Sequence, residues 1–226
     1  DICRRNRISS FVFSSSCSVY GSVAKMPIRE NMRQLPTSPY GFTKLVGERM
    51  LCEQAVAYGM RPAILRYFNA AGADPDGTLG EVHRPETHII PLALLAAAGR
   101  SPPLSILGTD YDTPDGSCIR DFIHVDDLAR AHVLALRHLL NGGAPLTLNL
   151  GSGRGTSVLE VMAAVERVTA RAVPHVNAPR RAGDPAVLVA DTHLAEERLG
   201  FVVRHGEIEK IIAHAAPWFG HQVLHA

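Results

Sequence analysis

An α/β fold built on a parallel sheet is what this sequence predicts, and three observations predict it. Short apolar runs of strand type alternate along the chain with longer segments of helical spacing. The helical segments start and stop at recognisable signals, a capping box in one case and a Gly followed by Arg-Pro in another. With 226 residues, 46% of them hydrophobic, the chain can bury one large core or one and a half ordinary ones. Strands that alternate with helices favour parallel pairing, because each crossover helix returns the chain to the same end of the sheet.

Taken in order, residues 11–13 (FVF) form a short strand that ends at the serines 14–16. Residues 41–58 read as a helix with Leu45, Leu51 and Ala55 as its apolar positions, stopped by Gly59 and then Arg61-Pro62. Residues 63–65 (AIL) are a strand that runs into RYFNAAGADPDG, whose Asn, Gly and Pro residues are loop chemistry. HIIPLALLAAAGR reads as a helix and LSIL as a short strand. Between Val125 and Leu140 the apolar positions Val125, Leu128, Ala129, Leu136 and Leu139 keep helical spacing. LTLNL is a strand, and SVLEVMAAVERV a helix with Val158, Val161, Met162 and Val165 on one face and a Ser157/Glu160 capping box. There is no internal repeat and no low-complexity linker.

Charge and composition exclude several function classes. The 23 basic and 22 acidic side chains are mixed along the chain for a net charge of +1, so no basic tract suggests nucleic acid or a membrane surface. The four cysteines (Cys3, Cys17, Cys52 and Cys118) are scattered without CxxC spacing, which fits reduced thiols in a cytoplasmic protein. No apolar run reaches the length of about 18 residues that a membrane span needs. The N-terminal DICRRNRISS has charge but no apolar segment behind it, and so makes a poor signal peptide.

Three motifs invite a ligand and do not hold. NLGSGRGTS follows a strand and opens a helix, but a GxGxxG pattern from Gly151 would need glycine where Thr156 stands; a tight strand-to-helix turn is the better reading. DYDTPDG resembles a calcium loop, yet Pro114 occupies a ligand position. The eleven histidines contain no HExxH and no Cys/His ligand spacing, so no metal is expected.

The chemistry concentrates on SSSCSVYG (14–21) and SPYGFTK (38–44). Tyr40 and Lys44 stand four apart, so on one helix their side chains share a face. A neighbouring ammonium favours a phenolate over a phenol, which would let a tyrosine take a proton from a substrate hydroxyl. A serine hydroxyl at the end of an adjacent strand could then bridge tyrosine and substrate. Any helix can carry Tyr and Lys four apart; the preceding strand that ends in SSS is what lifts the pair above coincidence.

In these residues the chain resembles the UDP-glucose 4-epimerase family of the extended short-chain dehydrogenase/reductase superfamily. FVFSSSCSVYG, SPYGFTK, LRYFNAAGADPDGTLGE, GTDYDTPDGSCIRDFIHVDDLA, NLGSG and APRRAGDP appear in that order and at family-like spacing, from about Phe11 to Phe219. The resemblance implies a partial Rossmann-type doubly wound parallel sheet and a smaller C-terminal α/β substrate domain. It places the dinucleotide-binding part at residues 1–70, with returning segments around 115–150, and the UDP-sugar-binding part mainly at 71–226. NAD is the implied cofactor and a UDP-hexose the implied substrate, in a cytoplasmic homodimer that binds neither nucleic acid nor membrane. The implied reaction interconverts UDP-glucose and UDP-galactose: C4 is oxidised, the 4-keto sugar turns over, and the hydride returns to the opposite face.

Residue by residue, Tyr40 matches the family's base, Lys44 its partner and Ser16 the bridging hydroxyl. Ser14, Tyr67 and Phe68, with Tyr40 and Lys44, match positions at the cofactor. Asn69, His88, Ile89, Ser105, Ile106, Leu107, Arg120, Arg181, Asp184 and Leu188, with Ser16, match positions at the substrate; two guanidiniums suit a diphosphate better than lysines would. Leu188 is expected beside the substituents of the sugar ring. His88 departs from an asparagine of some relatives but can still donate a hydrogen bond. The larger departure is the family's opening GxxGxxG strand–turn–helix, which is not found before Phe11. About three βα units, on the order of 90 residues, are therefore expected to be absent. Two other readings stay open: a catalytically inactive UDP-sugar-binding fragment, and an epimerase of another UDP-sugar such as a UDP-pentose or UDP-N-acetylhexosamine.

Overall fold

The computed structural model describes residues 2–223. Its elements run α1 (Ile2–Arg5), β1 (Ser10–Ser16), a 3-10 turn (Cys17–Val19), α2 (Pro39–Tyr58), β2 (Arg61–Tyr67), β3 (Asn69–Ala71), α3 (Ile89–Ala97), β4 (Leu104–Leu107), β5 (Ile119–His124), α4 (Val125–Leu140), β6 (Leu146–Leu150), β7 (Gly155–Ser157), α5 (Val158–Thr169), β8 (His175–Ala178), β9 (Val187–Leu188), α6 (His193–Leu199), α7 (Ile208–Ala215) and a final 3-10 turn (Ala216–Phe219). The α/β class with parallel pairing follows the sequence expectation: β1, β2 and β6 form a parallel sheet in that order.

One face of this sheet packs against α4. Leu128, Ala131, Ala135 and Leu139 meet Ala63, Leu65, Leu146, Leu148 and Leu150 in one buried cluster. Helix α4 carries Asp126 and Asp127 in its first turn and Arg137 and His138 in its last, which complements its macrodipole.

The other face is covered by α2, and here burial departs from the apolar pattern. Ser38 Oγ caps the helix by accepting from the Gly41 N–H at 3.1 Å, Pro39 sits at its start, and Gly59 ends it at φ 68°. The residues it buries are Gly41 and Glu48, while Leu45, Leu51 and Ala55 are only half-buried. A Cβ on Gly41 would collide with the Ser18 carbonyl, so only glycine lets the helix come this close to the turn after β1. Glu48 meets a polar row that the strand register creates, since Ser15, Arg66 and Asn149 are neighbours across β1, β2 and β6. Arg66 donates to both carboxylate oxygens of Glu48, at 2.9 and 2.5 Å, and to Tyr20 Oη at 2.9 Å; Ser15 Oγ donates to Glu48 at 2.5 Å, and Tyr20 Oη donates to Asn149 at 2.7 Å.

A second cluster, with Ile90, Leu94, Ile106, Phe122, Val161, Val165, Ile211 and Phe219, joins α3, α5, α7 and the final turn. Strand β5 organises this half, pairing parallel with β3 and β9 and antiparallel with β7, while β4 and β8 form a separate parallel pair. The Ser157/Glu160 capping box is present on α5 as expected.

Three local expectations are corrected. The first strand does not end at the serines but runs through them to Ser16, because Ser14–Ser16 pair in register with Leu65–Tyr67 of β2. The NLGSGRGTS segment is not a tight strand-to-helix turn, because β7 intervenes and pairs with β5 before α5 begins. The stretch after Tyr67, read as loop, also contains the short strand β3.

Candidate functional site

The C-terminal ends of β1 and β2 and the start of α2 converge on one cavity of about 850 Å³. Open α/β sheets bind ligands at this end of their strands. Ser16 and Tyr67 are register partners at the last positions of β1 and β2. Tyr40, on the second residue of α2, reaches the same cavity and is 53% exposed. Its hydroxyl makes no hydrogen bond among the described residues. Lys44 lies one turn further along, with Nζ 5.4 Å from the centroid of the Tyr40 ring and donating to the Ser14 carbonyl at 2.9 Å. The ammonium is thus fixed between strand and tyrosine with donors to spare.

Ser16 Oγ accepts from the Ser18 N–H at 3.2 Å and donates to Ser18 Oγ at 3.0 Å, so the strand end is also the cap of the following turn. Ser14 does not line the cavity. Its hydroxyl meets His132 Nε2 at 3.2 Å, and because His132 Nδ1 lies 2.8 Å from the Leu128 carbonyl, the network makes Nε2 the acceptor and Ser14 the donor. Next to Ser16, desolvation pushes the Cys17 thiol up to about 12.

Two arginines also line this cavity. Arg120 donates from Nη2 to Asp184 at 2.6 Å and from Nη1 to its neighbour's carbonyl at 2.8 Å, which leaves three guanidinium protons for a ligand. Arg181 lines the same wall with no ion-pair partner among the described residues. Phe68, Asn69, His88, Ile89, Ser105, Ile106 and Leu107 also line the cavity, and Asn69 Nδ2 donates to the Asp121 carbonyl at 2.8 Å. His88 Nδ1 already faces Glu86 at 2.8 Å.

Leu188, the register partner of Arg120 across β9 and β5, is half-buried and packs on the cluster of Val19, Tyr20, Ile28, Phe68 and Ala190, of which Phe68 lines the cavity.

Sequence reasoning missed two supports. Asp121, fully buried, accepts from Ser152 N and Oγ at 2.7 Å and from Gly153 N and Ala190 N at 3.1 Å, and so ties two loops to β5. Burial pushes its carboxyl up, and these donors oppose the shift. A side chain on Gly151 would collide with that carboxylate, which is the real constraint within NLGSG. The second is a side-chain group with the chemistry to hold a metal ion: Glu81, His83 and His88 place one potential ligand atom each within 4.8 Å of one another. The signal was Glu-x-His-x4-His on a loop, which matches no helical ligand motif.

Comparison with known proteins places the chain in an epimerase/dehydratase family. The profile of the "NAD dependent epimerase/dehydratase family" matches residues 1–151. A UDP-glucose 4-epimerase of Azospirillum brasilense is 51% identical over 216 residues, covering 96% of this chain and 62% of that protein. The UDP-glucose 4-epimerase of Brucella ovis, solved in complex with NAD, superposes with a TM-score of 0.96 at 55% identity over 98% of this chain and 68% of its own. That of Bifidobacterium longum, in complex with NAD+ and UDP, gives 0.90 at 37% identity, covering 96% of this chain and 65% of the other. The chain spans less than two thirds of the length of the curated relative from Azospirillum brasilense.

Proposed function

We propose, on the premise that this chain belongs to the NAD dependent epimerase/dehydratase family, that it carries the catalytic and substrate-binding residues of an enzyme interconverting UDP-glucose and UDP-galactose. The observation that supports this most directly is one cavity lined by Tyr40 and Ser16 together with Arg120 and Arg181. Proton transfer at a sugar hydroxyl needs the first pair, and a diphosphate needs the second.

The nicotinamide end of NAD fits the residues present. Tyr67 and Phe68 offer ring surface beside Tyr40, and Lys44, held by the Ser14 carbonyl, has ammonium protons free for a ribose hydroxyl. When bound, NAD supplies the reversible hydride acceptor for C4 of the sugar. Tyr40 Oη takes the proton of the 4-hydroxyl and later gives it back. Ser16 Oγ holds the substrate oxygen in line with Tyr40, and its bond to Ser18 fixes the rotamer. Arg120 and Arg181 bind the diphosphate, and Asp184 keeps Arg120 oriented towards the cavity.

We assign residues 1–70, with returning segments around 115–150, to the cofactor side and 71–226 mainly to the substrate side. The outer face of α2 exposes Phe42, Val46 and Met50, an apolar strip that supports a homodimer through this helix. Among the described residues no helix is long and apolar enough to cross a membrane, and the four cysteines are free, which supports a cytoplasmic site.

Chromatography of UDP-galactose incubated with the protein and NAD tests the proposal. UDP-glucose should accumulate to equilibrium, and Arg120→Ala should weaken UDP binding by about 10-fold or more, the effect of losing a charge-assisted hydrogen bond. UDP binding without conversion would favour a binding-only protein, and neither would remove the proposal.

A further inference from the structure

The loop between β3 and α3 gathers four ligating side chains within eight residues, and they serve neither core. Glu81 Oε1 lies 2.7 Å from His83 Nε2 and 3.4 Å from His88 Nδ1. The two imidazoles meet edge to face with centroids 5.0 Å apart. His83 and His88 are half exposed, with side chains 52% and 50% accessible. Hydrogen bonds between groups this exposed contribute little, because water competes for each of them. The convergence therefore has little stabilising value of its own.

Behind His88 stands Glu86, only 8% accessible at its side chain. Its Oε1 accepts from the Thr87 and His88 N–H groups at 2.7 and 2.8 Å and lies 2.8 Å from His88 Nδ1. Its Oε2 is buried and has no hydrogen-bond partner among the described residues. With Nδ1 held by Glu86, Nε2 is the His88 nitrogen left for a metal, and a carboxylate against the opposite ring nitrogen is the arrangement that orients metal-binding histidines and raises their basicity. The loop itself is anchored at Gly80, where the Trp218 ring fills the space a side chain would take.

We propose that Glu81, His83 and His88, with Glu86 supporting His88, form a binding site for one divalent transition-metal ion of the zinc class on the exposed wall of the cavity. The donor set is two imidazole nitrogens and one carboxylate oxygen, with three protein ligands and an open position towards the cavity that all three line. Zinc–ligand bonds of about 2.0–2.1 Å put tetrahedral ligands about 3.3 Å apart. The Glu81–His83 oxygen–nitrogen separation is 2.7 Å, and one ligand atom from each of the three residues lies within 4.8 Å of the others, so small side-chain shifts bring them to that edge. Nitrogen donors in this proportion favour zinc, cobalt or nickel over magnesium and calcium, which take all-oxygen shells.

Untagged protein, stripped with chelator and titrated with Zn²⁺ by calorimetry and with Co²⁺ by visible absorption, tests this. One equivalent should bind, with Co²⁺ giving the intense d–d bands of a tetrahedral site that Zn²⁺ bleaches and Mg²⁺ does not. His83→Ala and Glu81→Gln should each abolish the bands, and Glu86→Gln should weaken affinity by about 10–100-fold. Affinity should fall on acidification, since the ligands must be deprotonated. All three positions lie on an exposed loop, so circular dichroism should show the variants folded. Absence of a one-equivalent site, or bands unchanged in His83→Ala and Glu81→Gln, overturns the proposal.

Discussion

Replacing Glu48 by alanine tests how α2, and with it Tyr40 and Lys44, is held on the sheet. Glu48 and Arg66 are 3% and 4% exposed at their side chains and are joined by two parallel hydrogen bonds of 2.9 and 2.5 Å. In Glu48→Ala the guanidinium keeps Tyr20 Oη and the Glu30 carbonyl but loses its counter-charge, and Ser15 Oγ loses its acceptor. Removing one partner of a buried pair costs about 3–5 kcal/mol, because the remaining charge stays buried and uncompensated. The double variant Glu48→Leu/Arg66→Met puts apolar groups of similar size in both places. It should recover most of that loss, since an apolar replacement of a whole buried pair is often neutral or better. Tyr20 would still donate to Asn149. Urea unfolding followed by circular dichroism, with midpoints and slopes compared, reads both values. A cost below about 1 kcal/mol for Glu48→Ala, or a double variant as unstable as the single one, would refute the claim that this ion pair organises the helix.

Two further outcomes follow from titrating groups. His124 is fully buried, with its ring centroid 4.6 and 5.0 Å from those of His205 and His214, and burial, reinforced by those two imidazoles, pulls it from 6.5 down to about 4. The unfolded chain therefore binds the extra proton first, so stability falls as pH drops from about 6.5 to 4, by up to about 3 kcal/mol over that window. Urea midpoints at pH 7 and pH 5 should show this fall, and His124→Asn should flatten it; an equal slope in the variant would assign the effect elsewhere. The Cys17 thiol, raised to about 12, should resist iodoacetamide at pH 8 while exposed Cys52 is alkylated, as mapped by peptide mass. Equal labelling of both would contradict the upward shift of the Cys17 thiol.

What was legible in the sequence was whatever is written in local spacing. Tyr40 and Lys44 come together because they stand four apart on a helix whose cap, Ser38, and stop, Gly59, are also local signals. Helix α4 and the capping box of α5 lie where apolar period and cap residues put them. Contacts made across the fold were not legible. Glu48 reads as a solvated helix residue until the parallel register sets Arg66 beneath it. Asp121 reads as half of a surface pair with Arg120, yet the strand turns it inward to cap two loops while Arg120 turns out to Asp184. Leu188 was expected beside the sugar from the family resemblance alone, and its place as the register partner of Arg120 is a contact that no local spacing shows. The Glu81, His83 and His88 group is held by a loop path that no period encodes.

The most direct test of the central claim is the Tyr40→Phe variant, measured for both turnover and binding. Phenylalanine keeps the ring against the Lys44 ammonium and removes only the oxygen that exchanges the proton. With NAD present, proton NMR of UDP-galactose should show the rate of UDP-glucose formation fall by about 10²–10⁴-fold, the range for losing a general base. Calorimetric affinity for UDP should stay at the wild-type value, because the diphosphate is assigned to Arg120 and Arg181, which the substitution leaves in place. Turnover near the wild-type rate, or a loss matched by an equal loss of UDP affinity, would contradict the role assigned to Tyr40.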